Sequence, residues 1–327
     1  MVKVVIVGRG WGERSQAPNF RDAGLDVIAV NGRDRWREAV ESDADLITVV
    51  MPPAMHVEIT TAALAAGKHV VCEKPMALNV AEAAELVRIA SHHPKRVAII
   101  DHELRFVPAF RAARERIADI GAIRYAEVRY SSPSRGDRSR PWNWWSDASL
   151  GGGVWGAVGS HFIDTLHSLG CEVEAVQAEL RTIIAERSGK RVTADDFAAV
   201  HLRLRGGAFA MMTFSAVASG PDEQSVLTIH GEDAAFRLTG EELLFAKRGE
   251  PYQRIAGDEM AKRPGNSRGG AFGTGTYHLG LALKRALDDG DRDALAPAAT
   301  FADGLAVQRV LDAARRSSEN GGAWVSM

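Results

Sequence analysis

Short apolar runs, each closed by a turn, recur through the first hundred positions. Val2–Val7 (VKVVIV) ends in Gly8-Arg9-Gly10, and Leu25–Val30 (LDVIAV) ends in Asn31-Gly32. Leu46–Val50 (LITVV) ends in Met51-Pro52-Pro53, His69–Cys72 in Glu73-Lys74-Pro75, and Arg96–Ile100 at Asp101. Runs that are apolar without alternation read as strands buried on both faces of a parallel sheet. Between them, His56–Gly67 reads as a helix with a glycine stop. Asn79–His93 reads as a helix capped by Asn79 and ended before Pro94. Strand–helix alternation predicts a doubly wound parallel sheet.

Beyond about Gly121 the period changes. Ala122–Ser132 (AIRYAEVRYSS), Ala199–Ala218, SVLTIHG and AAFRLTG alternate polar and apolar residues. Such strands build an antiparallel sheet with one face open to water or to a partner. A terminal helix is predicted over Pro297–Ser317. The predicted fold class is therefore α/β plus α+β. A Rossmann-type parallel sheet occupies residues 1–120, and a domain with a large, mostly antiparallel open sheet occupies 121–327, with the border near Asp119–Gly121.

Composition adds limits. A chain of 327 residues suits two domains, and 46% hydrophobic with 25% charged residues is ordinary for a globular protein. A net charge of −2 gives no pull toward nucleic acid or an anionic membrane. Cys72 and Cys171 are the only cysteines, which suits a reducing, cytoplasmic setting. No apolar run reaches the length of a membrane span, and no leader peptide is expected.

The turns carry the candidate chemistry. Gly8 and Gly10 fit the first two positions of G-x-G-x-x-G, whose backbone N–H groups and following helix cradle a pyrophosphate. The third position falls on Glu13, and Gly12 beside it is placed to absorb the change. Trp11 lies within the same turn. After the second strand the slot for a ribose-binding acid holds Gly32, followed by Arg33, whose guanidinium suits a 2′-phosphate. That favours NADP over NAD, unless Arg33 is solvated and Asp34 holds the ribose. Glu73 and Lys74 stand at the carboxyl end of the fourth strand, where open α/β sheets bind ligands, and Pro75 restricts the backbone before it. A lysine there can polarise a substrate oxygen, and Glu73 can pair with it or with the cofactor. In isolation the tripeptide reads equally as a surface ion pair.

GKHVVCEKPMALNVAEAAEL, preceded by MPPAMH with Pro52 and His56, resembles the Gfo/Idh/MocA oxidoreductases. So do DHELRFVPAF, GGGVWGAVGSHFID and FADGLAVQRVLDAARRS, in that order along the chain. The resemblance implies an N-terminal Rossmann-type domain and a C-terminal sheet that often forms the oligomer interface. It implies NAD(P) and hydride transfer at a sugar, cyclitol or similar hydroxyl, with Lys74 catalytic and His161 the proton carrier. Pro52, His56 and Glu73 join the glycines among the implied cofactor contacts.

Two departures stand out. The segment Asp34–Asp45 is short, so the sheet is expected to lack a strand. The carboxylate usual four residues before the histidine is replaced by Ala157. SHFIDTLHSLG reads as an amphipathic helix that places 157, 161 and 164 on one face. An orienter for His161 would then come from Asp164, Asp101, Glu103 or the substrate. Arg105 and Trp142 complete the substrate-side candidates, Trp142 as a sugar platform or as packing. Arg135, Arg138 and Arg140 are a further cationic group. No histidine or cysteine spacing suits a metal.

The combined reading is an NADP-preferring, NAD(P)-dependent oxidoreductase of a secondary alcohol or ketone in a sugar, cyclitol or sugar-derived acid. It is expected to be a homodimer or homotetramer through the C-terminal sheet. The alternatives are a catalytically silent dinucleotide-binding sensor and a reductase of C=N or C=C bonds.

Overall fold

A computed structural model describes residues 1–220, 224–256 and 270–327. The chain divides into two compact units. The first comprises Met1–Val107 and a later stretch that ends at Ala306; the second begins at Pro108 and takes in Val307–Met327. The expected single border near residue 120 thus gives way to one at Val107/Pro108, a return to the first unit before Gly270 and a last crossing at Ala306/Val307.

In the first unit, strands β1 (Lys3–Val7), β2 (Asp26–Asn31), β3 (Leu46–Val49), β4 (His69–Cys72) and β5 (Ala98–Ile100) form a parallel sheet. Its order is β5-β4-β3-β1-β2, with the two-residue strand Ala299–Thr300 added antiparallel beyond β5. β2 is an edge strand, and α2 (Trp36–Glu41) leads straight to β3, as the short 34–45 segment implies. Successive side chains point to opposite faces, so each strand feeds two cores. Val5, Val7, Ile47, Val49, Val70 and Cys72 pack with Trp36 of α2, Ile59 of α3 (His56–Ala65) and Leu86 of α4 (Val80–Ser91). Val4, Ile6, Leu46, Val71 and Ile99 pack on the other side with Phe20 of α1 (Ala17–Asp22). Leu279 and Leu283 of α7 (Gly270–Asp288) join them. A sheet buried on both faces needs helices on both. α7 supplies part of one layer, which is why this late segment belongs to the first unit.

Local signals act as expected at α4. The Asn79 side chain accepts the Glu82 N–H at 3.0 Å, and Glu82 Oε2 accepts the Leu78 N–H at 3.0 Å, a reciprocal cap. The C-terminal helix α8 (Phe301–Glu319) starts later than Pro297 because Ala299 and Thr300 are engaged with β5. Thr300 and Asp303 then cap its start.

The second unit holds, among the described residues, a nine-stranded sheet. Its order is Gln253–Ala256, Glu242–Lys247, Ala234–Thr239, Gln224–Gly231, Ile123–Ser131, Phe209–Ser215, Phe197–Leu204, Val173–Arg181 and Val325–Ser326. All neighbours are antiparallel except Ile123–Ser131 with Phe209–Ser215. On one face Phe214 meets Trp155 and Phe162 with ring centroids 5.7 Å apart in each pair, which packs the sheet against α6 (Ser160–Ser168) and the turn before it. The opposite face carries Phe209 (47% exposed), Met211 (40%) and Tyr125, whose ring stacks on Phe209 and His230. α5 (Pro108–Glu115) completes the unit's helices before the sheet. No described helix is long and apolar enough to cross a membrane.

Candidate functional site

In the first unit the carboxyl ends of β1 to β5 deliver Gly8, Asn31, Val50, Glu73 and Asp101 to one edge of the sheet. β1 lies between β2 and β3, so the strand order reverses at its carboxyl end, the place where such sheets bind ligands. Gly8 turns the chain there with φ +133°, and its N–H donates to the Asn31 carbonyl at 2.8 Å. A π-helical turn, Gly12–Gln16, runs directly into α1.

The glycines have separate physical reasons. A Cβ on Gly12 would stand 2.7 Å from Ile6 Cγ2, so Gly12 permits the close helix–strand approach that the third glycine of the motif usually serves. A Cβ on Gly10 would meet nothing within 4 Å. Gly10 therefore borders open space where backbone N–H groups begin the helical run. A small tight turn, a helix start and room beside Gly10 fit the pyrophosphate of a dinucleotide. Trp11 is half-buried in this turn.

Past β2, Arg33 is exposed in a 3₁₀ turn, Arg33–Arg35. The Arg9 side chain reaches across, its Nε 3.8 Å from where Gly32 would carry a Cβ. The Arg9 guanidinium thus borders Gly32, the residue that precedes Arg33 in the chain. Asn31 turns its own amide back on the Arg35 carbonyl at 3.0 Å.

Pro52 is buried after β3. His56, expected to touch the cofactor, is instead fully buried with both ring nitrogens on backbone carbonyls. Nε2 lies 2.7 Å from the Met51 oxygen and Nδ1 3.3 Å from that of Met76. It braces the turn after β3 to the turn after Lys74-Pro75, and burial holds its pKa below the ordinary value.

Lys74 is half-buried beyond β4, and the Lys74–Pro75 peptide is cis. Cys72 pairs with Ile100 across the sheet, so the next residues, Glu73 and Asp101, emerge side by side. The Gln16 side-chain amide donates to both, at 2.7 Å to Asp101 Oδ2 and 3.3 Å to Glu73 Oε1. Burial, reinforced by the Asp101 charge, pushes Glu73 up to about 8. Burial raises Asp101 to about 6 against the opposing pull of Gln16 and Lys74. Burial also lifts Glu103 well above the carboxylate range. Sequence reading named Glu73 as a partner of Lys74 or of the cofactor, and Asp101 and Glu103 only as orienters of His161. The parallel register that sets 73 beside 101 is the signal that could have paired them.

Arg105 pairs with Asp303 at 3.3 Å, with its side chain only 9% exposed. It ties the turn after β5 to the start of α8 rather than standing open in the crevice as expected.

In the second unit, GGGVWGAVGSHFID forms a π-helical turn, Trp155–Gly159, that continues into α6. Gly153 (φ +113°) allows Asp195 to approach: a Cβ there would meet Asp195 Oδ1 at 2.3 Å. Asp195 Oδ2 accepts the Trp155 N–H at 2.7 Å and so caps the helical run. Burial raises Asp195 to about 6. Sequence reading missed this residue, 40 positions away in the chain. His161 and Asp164 are buried three residues apart in α6, and the Thr165 hydroxyl donates to the His161 carbonyl at 2.8 Å. Ala157 is buried in the π turn, one turn before His161. Trp142 is not an open platform. Its indole N–H donates to the Arg191 carbonyl at 3.1 Å, and the Lys190 ammonium lies 5.2 Å from its ring centre. Lys74 and His161 therefore belong to different units.

These features define a Rossmann-type nucleotide fold joined to an open-sheet domain. Residues 33–100 match the family of oxidoreductases with an NAD-binding Rossmann fold, and residues 110–237 match the GFO/IDH/MocA C-terminal domain. An uncharacterized oxidoreductase of Synechocystis sp. is 31% identical over 269 residues, covering 73% of this chain and 72% of that one. The chain belongs to the Gfo/Idh/MocA oxidoreductase family. Among solved structures, an oxidoreductase domain protein from Kribbella flavida superposes with a TM-score of 0.85 at 27% identity, over 100% of this chain and 99% of that one. Levoglucosan dehydrogenase, in complex with NADH and levoglucosan, superposes with a TM-score of 0.86 at 21% identity, over 99% of each chain.

Proposed function

We propose that the protein transfers hydride between a nicotinamide dinucleotide and a secondary alcohol or ketone of a sugar, cyclitol or sugar-derived acid. One observation carries this: the glycine turn, Arg33 and Lys74 stand at the carboxyl ends of β1, β2 and β4 of one parallel sheet. At about 4.8 Å per strand, β2 to β4 spans about 14 Å. The adenosine end of a dinucleotide would lie at β2, its pyrophosphate at β1, and its nicotinamide toward Lys74. Gly8, Gly10, Trp11 and Gly12 hold the pyrophosphate, with Pro52 shaping the next turn. Arg33, helped by Arg9, reads a 2′-phosphate, which makes NADP the preferred coenzyme over NAD.

The bound nicotinamide supplies the hydride acceptor or donor. Lys74 polarises the substrate oxygen, and His161 takes or gives its proton, with Asp164 beside the substrate. The open face around Phe209 and Met211 joins copies of the chain into a homodimer or homotetramer, in a cytoplasmic setting.

The experiment is a panel of sugars, cyclitols, sugar acids and their keto forms with both coenzymes, followed at the nicotinamide absorbance. Turnover of any member supports the reading. His161→Ala is expected to lower that turnover by about 10²–10⁴, and an unchanged rate removes His161 from the mechanism. Ala157 favours a second reading, a dinucleotide-binding sensor without turnover. Tight coenzyme binding with no turnover across the panel, imines and activated alkenes included, selects the sensor.

A further inference from the structure

We propose that the loop following the strand Ile123–Ser131 carries a binding site for the oxyanion of a small ligand, a carboxylate or phosphoryl group, received by Arg135 and Arg140. The site lies wholly within the second unit, and the binding goes beyond the hydride-transfer reading and does not depend on it.

The charge pattern is the first observation. Residues 134–142 and 186–191 hold six cations, Arg135, Arg138, Arg140, Arg187, Lys190 and Arg191, against two carboxylates, Asp137 and Glu186. The whole chain carries −2, so this is a local concentration of positive charge and not a general excess. Among the described residues none of the six forms an ion pair with a carboxylate. Elsewhere in the same unit Arg116, Arg181 and Arg205 do.

Contacts gather the groups. The Arg187 guanidinium, on a residue 3% exposed, donates to the carbonyls of Arg135 and Asp137, the latter at 2.5 Å. Arg140 donates to the Ser134 carbonyl. Two guanidiniums thus stand on successive carbonyls, 134 and 135, beside the residue that bears a third. The loop is pinned as well: the Arg135 N–H donates to the Ala216 carbonyl at 2.7 Å, and the Trp142 indole to that of Arg191 at 3.1 Å. Like charges held together in this way disfavour the charged form. Burial, with the neighbouring Arg140 and Arg187, accordingly pushes Arg135 down to about 10.

Arg187 is scaffold, since two of its nitrogens are spent on the backbone. Arg135 and Arg140 keep most of their donors for a ligand, because a guanidinium has five N–H groups. Arg135 donates to Asn143 Oδ1 at 3.3 Å, and its guanidinium carbon lies 4.4 Å from the centre of the Trp145 ring. An aromatic face steadies a guanidinium and leaves the N–H fork at its edge. Such a fork takes a carboxylate or phosphoryl group through two parallel bonds.

The nearby acids do not supply the counter-charge. Arg135 and Arg187 line a narrow cleft with Asp195 and Asp196. Asp196 accepts the N–H groups of Ile183 and Ile184 at 2.6 and 2.8 Å, and Asp195 accepts that of Trp155 at 2.7 Å. Asp137 Oδ1 accepts the N–H and the hydroxyl of Ser139, both at 2.8 Å. The cleft itself measures about 20 Å³, room for one water. The anion is therefore received at its rim, by the half-buried Arg135 and the exposed Arg140.

The test is calorimetric titration of the full chain, saturated with NADPH to occupy the glycine turn, with inorganic phosphate, glucuronate and glucose 6-phosphate. Glucose is the neutral control. At least one anion is expected to bind at one site per chain while glucose does not. Phosphate alone would identify a free-phosphate site, glucuronate a carboxylate site, and glucose 6-phosphate a sugar-phosphate site; each supports the proposal. Arg135→Gln and Arg140→Gln are each expected to weaken that binding about 10–100-fold, the worth of a hydrogen bond to a charged group. Arg138→Gln, exposed and without a side-chain contact, should change it by less than about twofold. Thermal melts show which variants fold, and Arg140→Gln carries the test if Arg135→Gln does not. No binding of any anion, undiminished binding in the folded arginine variants, or an equal loss in Arg138→Gln overturns the proposal. Failure of every polyol in the turnover panel would instead sink the hydride-transfer reading and leave these outcomes as they are.

Discussion

A β-carbon on Gly8 would lie 2.0 Å from the carbonyl oxygen of Val50, the residue that follows β3. The first turn of the sheet and the third are therefore in backbone contact, at the point where strand order reverses. Gly8→Ala combines that clash with an unfavourable φ and is expected to cost on the order of 3 kcal/mol. Gly10→Ala, with open space around it, should leave the melting temperature within about 2 °C and still weaken NADH or NADPH binding at least about tenfold. Fluorescence titration and thermal melts of the two variants check this. Intact coenzyme affinity in Gly10→Ala would show that the turn holds no pyrophosphate.

Arg33 borders Gly32 together with Arg9. A guanidinium that reads a 2′-phosphate contributes roughly 1.5–3 kcal/mol, so Arg33→Ala should weaken NADPH by about 10–100-fold while NADH changes little. Gly32→Asp should reverse the preference by restoring an acid for the ribose hydroxyls. An equal loss for both coenzymes in Arg33→Ala defeats the NADP assignment.

Glu73 sets a pH dependence of stability. Its folded pKa, about 8, exceeds its ordinary value of 4.5. The folded state thus holds a proton that the unfolded chain releases, and stability falls as pH rises from about 4.5 to about 8. Glu73→Gln stays neutral and should flatten the melting-temperature profile over that window, by an amount worth a few kcal/mol. His56 acts in the opposite sense. Burial lowers its pKa from 6.5, so protonation of the unfolded chain costs stability as pH drops below about 6.5. Parallel profiles for Glu73→Gln and the unmodified protein would refute the assignment for Glu73.

The exposed sheet face offers a test of assembly. Phe209 and Met211 alternate along one strand with Tyr125 stacked beside them. Phe209→Lys with Met211→Lys should convert a dimer or tetramer to monomers on size-exclusion chromatography with light scattering. An unmodified protein that is monomeric at micromolar concentration would remove this face from the account.

Much of the first unit was legible because buried parallel strands leave a plain pattern and their carboxyl ends share an edge. Gly8, Arg33, Glu73 and Lys74 could be placed there from position alone. What escaped was information held in side-chain contacts between distant positions. Gln16 and Asp101 are 85 residues apart, and only the sheet register brings them together. His56 sits in a motif that suggests ligand contact, yet its ring is buried, with Nε2 2.7 Å from the Met51 carbonyl and Nδ1 3.3 Å from that of Met76. α7 was unread because Gly273, Gly275 and Gly280 weaken its helical signal. Packing overrides that propensity. Gly275 lies against the Glu103 backbone and Gly280 against Ala23 and Phe20, where a Cβ would come within 2.2 Å and 2.8 Å.

The return of α7 has a consequence for biosynthesis. While the polypeptide emerges from the ribosome, β1 to β5 are all made long before Leu279 and Leu283, which cover part of one side of their sheet. The part of that side that α7 covers stays wet until some 170 residues after β5 have been made, and a gene fragment stopped at Val107 encodes a sheet with a helix missing. The nucleotide module of this chain cannot be excised by a single cut; it requires α7 supplied in trans or by circular permutation.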